Sequence, residues 1–179
     1  MIELTQKKLR ESTFFYGLLY KESQKTVGDT EVFEFYVSAF LSAARSVTFT
    51  LQYEANDRYQ PWFNEWAKKN LDERDQSIWG FLKEQRNDSQ KKGRLDIKSD
   101  ITDIPFTDFV RRYPWNSGIE FQWFGPPGHE QPRTLAIKTH TFESLSEKNE
   151  ASEICLQYLK GLEKMVADFL NDHQSADTP

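Results

Sequence analysis

The stretch FEFYVSAFLSAARSVTFTLQY, residues 33–53, decides the fold of this chain. Its apolar side chains recur at intervals of three and four, so they form one wide stripe along an α-helix. The stripe consists of Phe33, Tyr36, Val37, Phe40, Leu41, Ala44, Val47, Thr48 and Leu51. Such a helix is about 30 Å long, which spans a small domain. Small Ser and Ala side chains near its middle allow neighbouring helices to approach closely, so we predict the central helix of a bundle.

The sequence before this stretch predicts a first helix and a turn. Leu and Phe side chains recur among charged ones at near-helical spacing over residues 3–22, which indicates an amphipathic helix. Residues 25–30 then form a turn. Asp29 or Thr30 is suited to cap the central helix, because a short polar side chain can accept a hydrogen bond from the free amides of the first turn.

Two further helices are predicted after the central one. The apolar pattern breaks at residues 56–60, and Pro61 suits the first turn of a short helix that carries Trp and Phe side chains. Asp72 is suited to cap the next helix. That helix is predicted to end at Gly93, because glycine readily adopts the left-handed conformation of a helix C-terminus.

Residues 95–143 change character, because Pro and Gly are concentrated there. Apolar and polar residues alternate along residues 119–124 and 134–140, which is typical of β-strands. We therefore predict a β-hairpin with a long loop at residues 125–133, and a short helix at residues 106–113. A two-stranded ribbon is marginal alone in water, so it is expected to pack on the bundle or on another chain.

The C-terminal helix completes the predicted fold. Ser144 and Glu147 have the spacing of a capping box, and a strong apolar stripe runs from there to about His173. The fold class is therefore mainly α, a bundle of about five helices with a β-hairpin inserted between the fourth and the C-terminal helix. Residues 1–173 are predicted to form one domain, followed by a frayed tail at residues 174–179.

Composition narrows the class of protein. The chain has 179 residues, which is enough for one domain with a sizeable core, and a formal charge of -5, which argues against broad nonspecific nucleic-acid binding. No apolar run approaches the roughly 20 residues that a membrane helix requires. The single Cys155 excludes an internal disulfide. We expect a cytoplasmic protein without membrane contact.

Metal and cofactor chemistry has little support in the sequence. His129, His140 and His173 lack the spacing of metal ligands, and we interpret them as surface histidines. Residues 125–128 contain two prolines, which have no amide to donate to a phosphate. Cys155 lies in an apolar helical pattern without a neighbouring His, so it is not a candidate nucleophile. No cofactor is expected.

Arg86 is the candidate anion site. It occupies a position on the stripe of Ile78 and Leu82 where another apolar residue would be expected. Six Lys and Arg residues and three Asp and Glu residues lie in residues 81–98, which is a local positive excess in an acidic protein. An equally good interpretation is a solvated helix end whose cations complement the helix dipole. The candidate anion-binding residues are Arg45, Arg86, Lys92 and Arg94. For Arg45, which interrupts the central stripe, we favour a structural role at the edge of that stripe.

The helical pattern and the Arg86-Asn87 pair resemble the HEPN family of small helical domains. In that family an Arg, often followed by a polar residue such as Asn, is separated by four to six residues from a His at a dimer interface, and active members cut RNA without a metal. This chain has Lys91, Lys92 and Gly93 where the His is expected. A solvated Lys is a poor general base near neutral pH, although it binds phosphate.

The resemblance implies a homodimer that binds RNA or another anionic partner, with toxin or defence proteins and an antitoxin partner among its relatives. If the chain is an enzyme, it is a metal-independent endoribonuclease. The catalytic candidates are then Arg86 for the phosphate, Asn87 for its orientation and Lys91 or Lys92 for charge stabilisation, and the base is unassigned.

Two alternatives to RNA binding remain open. The first is a noncatalytic interaction module that docks a protein partner through the aromatic hairpin residues Phe121, Trp123 and Phe124. The second is a small-molecule pocket among the Trp residues, which is suggested by composition alone.

Overall fold

The computed structural model describes residues 2–25, 28–105, 134–145 and 149–174. This part of the chain is mainly helical, with one antiparallel pair of strands between the fourth and the last helix. The helices are α1 (Glu3–Ser23), α2 (Thr30–Ala55), α3 (Tyr59–Asn70), α4 (Glu73–Lys92) and α5 (Ala151–Gln174), and the strands are β1 (Ile97–Pro105) and β2 (Thr134–Phe142). The predicted fold class is confirmed.

The predicted helix ends are confirmed where a local side chain or glycine sets them. Asp29 accepts hydrogen bonds from the amides of Glu31 and Val32 at the start of α2. Asp72 accepts one from the amide of Asp75 at the start of α4. Gly93 ends α4 with a φ of 65°, in the left-handed region that favours glycine.

The α2 helix is the centre of the core, as predicted. Its stripe is fully buried at Phe33, Val37, Phe40, Ala44, Val47 and Leu51. The Phe40 ring meets Tyr16 of α1 edge-on at 6.1 Å between ring centroids and Tyr158 of α5 edge-on at 6.4 Å. One side chain of α2 therefore joins the two helices that pack on either side of it.

Glu54 of α2 caps the N-terminus of α1, which the sequence did not predict. Its carboxylate accepts hydrogen bonds from the amides of Leu4 and Thr5 at 2.9 and 2.8 Å and from the Thr5 hydroxyl at 2.6 Å. At the other end of the helix pair, Glu22 of α1 accepts from the amide of Asp29. These two contacts fix α1 and α2 as antiparallel neighbours.

Replacement of Glu54 by Gln is expected to lower the free energy of unfolding by about 1–2 kcal/mol, because charge-assisted hydrogen bonds to a capped helix end are lost. Burial raises the pKa of Glu54, but the hydrogen bonds from Thr5 and Leu4 outweigh burial and hold the pKa below its usual value. Urea denaturation at pH 7 measures the effect. The control is Glu65→Gln, because Glu65 belongs to an exposed ion pair with Lys68 and its loss should change stability by less than about 0.5 kcal/mol. Equal effects of the two variants would contradict the capping role.

The second strand of the ribbon pairs with a strand that was not predicted. Residue Ile97 pairs with Phe142 at one end of the ribbon, and Pro105 pairs with Thr134 at the other, so β1 is a strand that the sequence analysis did not predict. The predicted partner at residues 119–124, the loop at 125–133 and the helix at 106–113 lie outside the described residues.

The base of the ribbon packs on the bundle. Ile137, His140 and Phe142 of β2 are buried, whereas Ile101 of β1 is 74% exposed. Lys138 donates a hydrogen bond of 2.7 Å to the carbonyl of Gly28 in the α1–α2 connection. Most of β1 therefore faces solvent, and this is why it lacks the apolar alternation by which a half-buried strand is recognised.

The predicted capping box at Ser144 is wrong, because α5 begins at Ala151. The Ser144 amide instead donates a hydrogen bond of 2.8 Å to the Asp96 carboxylate, and the Glu143 amide donates to the Asp96 carbonyl. These bonds hold the chain in a turn after β2. Within the described ranges, no helix combines the length and the apolarity needed to cross a bilayer.

Candidate functional site

The C-terminal half of α4 carries most of the candidate site. This part of the helix is polar and continues to Lys92, where Lys side chains in the last turn complement the negative end of the helix dipole. It packs on α2 through small polar side chains. The Ser38 and Ser89 hydroxyls are 2.6 Å apart, and Gln90 donates to the Ser42 hydroxyl at 3.4 Å. Arg86 lies one turn before this contact.

The Arg86 guanidinium is partly buried and makes few hydrogen bonds. Its Nη1 donates a hydrogen bond of 3.3 Å to the Asn87 side-chain oxygen, and its Nε is shielded from solvent without a hydrogen-bond partner. Among the described residues, no carboxylate pairs with it. Partly buried Arg side chains are usually paired, because a desolvated N–H group without an acceptor costs about 1–3 kcal/mol.

The neighbouring cations differ in how free they are to bind an anion. Lys91 and Arg94 are exposed. Lys92 forms an ion pair of 2.8 Å with Asp88 one turn earlier, so its charge is locally compensated. Arg94 lines a cleft of about 380 Å³ together with Asp88 and Asp96, which makes that cleft mixed in charge.

Arg45 has partners on its own helix. Its guanidinium lies 4.3 Å from the centroid of the Phe49 ring, and its Nη1 donates to the Thr48 hydroxyl at 3.0 Å. These contacts agree with a structural role at the edge of the α2 stripe. No contact in the described part of the chain joins Arg45 to Arg86.

His140 is buried, so its interpretation as a surface histidine is wrong. It is 4% exposed, its ring stacks on Phe33 at 3.9 Å between centroids, and its Nδ1 lies 2.7 Å from the Ser99 hydroxyl. Burial and the nearby Lys138 charge lower the pKa of His140 to about 4. The alternation of residues 134–140 places His140 on the face of Thr134 and Lys138, opposite Ile137, so the local pattern gives no sign of its burial.

The other predicted residues add little chemistry. His173 is half-buried and stacks on Phe169 at 4.1 Å, and His129 lies outside the described residues, as do Phe121, Trp123 and Phe124. Burial raises the pKa of the Cys155 thiol, which keeps it protonated. No group of His, Cys, Asp and Glu within the described ranges could hold a metal ion.

Sequence reasoning underrated the tryptophans of the bundle. The Trp62 and Trp66 rings of α3 are stacked at 5.9 Å between centroids. The Trp66 ring is 6.1 Å from the ring of Trp79, which lies on α4. Trp62 and Trp66 donate to Asp172 and Asp168 of α5, each at 2.8 Å. These residues line clefts between α3, α4 and α5, which residue composition could suggest but not locate.

Comparison of the chain with family models, with curated proteins and with solved structures finds no match. The fold and the geometry of its side chains are therefore the basis for a functional proposal.

Proposed function

We propose that this protein is a HEPN-like helical domain that binds RNA, with Arg86 as the ligand of a backbone phosphate. The observation that carries the proposal is the Arg86 guanidinium, which lies partly buried beside Asn87 and has no carboxylate partner in the described part of the chain. An arginine in this state is suited to an external anion, because a phosphate supplies acceptors that the described part of the chain does not.

The orphan Nε of Arg86 favours a change of conformation on binding. Nε is shielded from solvent in the free protein, so it gains an acceptor only if the side chain turns outward. A phosphate bound by Nε and a neighbouring Nη accepts two parallel hydrogen bonds, which is the geometry that distinguishes Arg from Lys. Binding therefore recovers the free energy that the unpaired N–H group costs in the unbound state.

The surroundings of Arg86 support an anion more than they support catalysis. Lys91 and Arg94 are exposed cations near the end of α4, and they can approach further phosphates of the same strand. A cleavage reaction needs a general base, and this chain has Lys91, Lys92 and Gly93 where the family has its His. We therefore propose binding as the activity, with Asn87 orienting the phosphate. Homodimer formation and an antitoxin partner follow from the family resemblance alone.

Replacement of Arg86 by Ala is expected to weaken binding of a fluorescently labelled single-stranded RNA by about tenfold or more, because one charge-assisted phosphate contact is lost. The slope of log K against log salt should fall by about 0.7, which is the value for one phosphate on a single strand. The RNA affinity of Arg86→Lys should lie between those of the wild type and Arg86→Ala, because Lys keeps the positive charge but cannot donate two parallel hydrogen bonds. Fluorescence anisotropy at several salt concentrations measures both quantities.

Arg58→Ala is the matched control for this experiment. Arg58 is exposed and follows the end of α2, about 20 Å along that helix from the contact between Ser42 and α4. Its loss removes the same charge from the protein but should leave RNA affinity within about twofold of the wild type. Wild-type affinity in Arg86→Ala, or no RNA binding by the wild type at low salt, would overturn the proposal.

A further inference from the structure

A cleft of about 460 Å³ opens between α3, the first half of α4 and one face of α5. This volume lies in the range of pockets that hold small organic ligands. Two indole rings, Trp66 and Trp79, line it together with Leu156 of α5. Neither Arg86 nor any other residue of the candidate phosphate site lines this cleft.

Trp79 is held in the cleft by a glycine on the facing helix. A methyl group at Gly161 would lie 3.0 Å from Cζ2 of Trp79, so the absence of a side chain allows the indole to rest directly on α5. Tyr158 packs edge-on against the same ring at 5.0 Å between centroids. The ring is half-buried, and its Nε1–H has no acceptor among the described residues. It therefore presents one free donor beside an aromatic surface.

A polar pair joins the same two helices one turn earlier on each, beside this donor. Gln157 of α5 donates a hydrogen bond of 2.7 Å to Oδ1 of Asp75 on α4. This bond orients both side chains and leaves Oδ2 of Asp75 and the Gln157 carbonyl as acceptors. Asp75 and Glu153 contribute negative charges, and Lys160 and Lys164 contribute positive ones, although Lys164 also forms an ion pair of 2.6 Å with Asp168. Charges of both signs therefore line the cleft.

We propose that this cleft binds a nucleobase. An apolar ligand would leave the Asp75 and Gln157 acceptors unpaired, and a simple anion or cation would meet a charge of its own sign. A nucleobase is neutral and flat, it stacks on aromatic side chains, and its edge carries the N–H donors and carbonyl acceptors that match this lining. The inference goes beyond phosphate binding at Arg86, since a base without a phosphate satisfies it.

The position of the cleft allows the base to come from an RNA strand or from a free nucleotide. Trp79 and Arg86 are seven residues apart on α4, which places them about 10 Å apart along the axis and within about 20° of the same face. A phosphate at Arg86 and a base at Trp79 are therefore within reach of one short oligonucleotide.

The first test is calorimetric titration of the full chain with guanosine, with adenosine and with ribose 5-phosphate, which has no base. At least one nucleoside should bind, and ribose 5-phosphate should bind at least tenfold more weakly. Asp75→Asn keeps the acceptor for Gln157 but removes the carboxylate, and it should weaken nucleoside binding by about tenfold. Glu73→Gln is the matched control, because it removes the same charge from an exposed position in the same helical turn outside the cleft.

Gly161→Ala provides a second variant, since it displaces Trp79 without removing any polar group. It should weaken nucleoside binding while leaving the RNA phosphate contact at Arg86 unaffected. Failure of both nucleosides to bind, or equal binding by wild type and Asp75→Asn, would overturn the inference even if Arg86→Ala weakens RNA binding. Nucleoside binding by a protein that does not bind RNA would support the inference, assign the base to a free nucleotide and overturn the proposed function alone.

Discussion

Replacement of Phe40 by Ala is expected to lower the free energy of unfolding by about 4 kcal/mol. Phe40 is fully buried at the centre of α2, and its ring contacts Tyr16 of α1 and Tyr158 of α5. Truncation removes the burial free energy of the ring and leaves a cavity, which three packed helices can close only in part. Urea denaturation followed by circular dichroism measures the change in midpoint at constant slope.

Phe35→Ala is the control for this prediction, since it makes the same truncation on the same helix. The Phe35 side chain is 62% exposed, so its loss should change stability by about 0.5 kcal/mol or less. If the two variants were equally stable, Phe40 would not occupy the core contact that joins α1, α2 and α5.

The second large effect is a loss of stability in mild acid that depends on His140. Burial and then the Lys138 charge lower the pKa of His140 to about 4, although Glu22 acts in the opposite direction. In the unfolded chain the pKa of His140 is near 6.5. Between about pH 4 and pH 6.5 the unfolded chain therefore binds a proton at His140 that the folded protein does not bind. Stability therefore falls as the pH falls from about 6.5 to about 4. The loss contributed by His140 is about 2 kcal/mol between pH 7 and pH 5.

The measurement is urea denaturation of wild type and His140→Gln at pH 7 and at pH 5. The variant is expected to be less stable at pH 7, because it loses the stack on Phe33, but its decline between the two pH values should be smaller by about 2 kcal/mol. His173→Gln should keep the wild-type decline, since His173 lies on α5 and not in the ribbon contact. An unchanged decline in His140→Gln would show that other groups cause the acid sensitivity.

The candidate site could be predicted only as far as local pattern allowed. Arg86 was recognisable because it stands on a helical stripe where an apolar residue is expected, and Gly93 marked the end of the helix that carries it. The contacts of the Arg86 side chain could not be predicted from this helical pattern. Its lack of a carboxylate partner among the described residues depends on which helices pack around it, and the Asp75–Gln157 pair of the neighbouring cleft joins residues 82 positions apart.

The sequence by itself determined the central helix, a cap for α2 at Asp29 or Thr30, the cap at Asp72 and the end of α4 at Gly93. Each of these follows from interactions between residues within one or two turns, so a spacing of three or four along the chain is sufficient evidence. Tertiary structure decided the Glu54 cap on α1, the pairing of β1 with β2 and the burial of His140. These contacts join residues that are distant in the chain, and their free energy depends on how the helices and the ribbon pack, which local periodicity does not record.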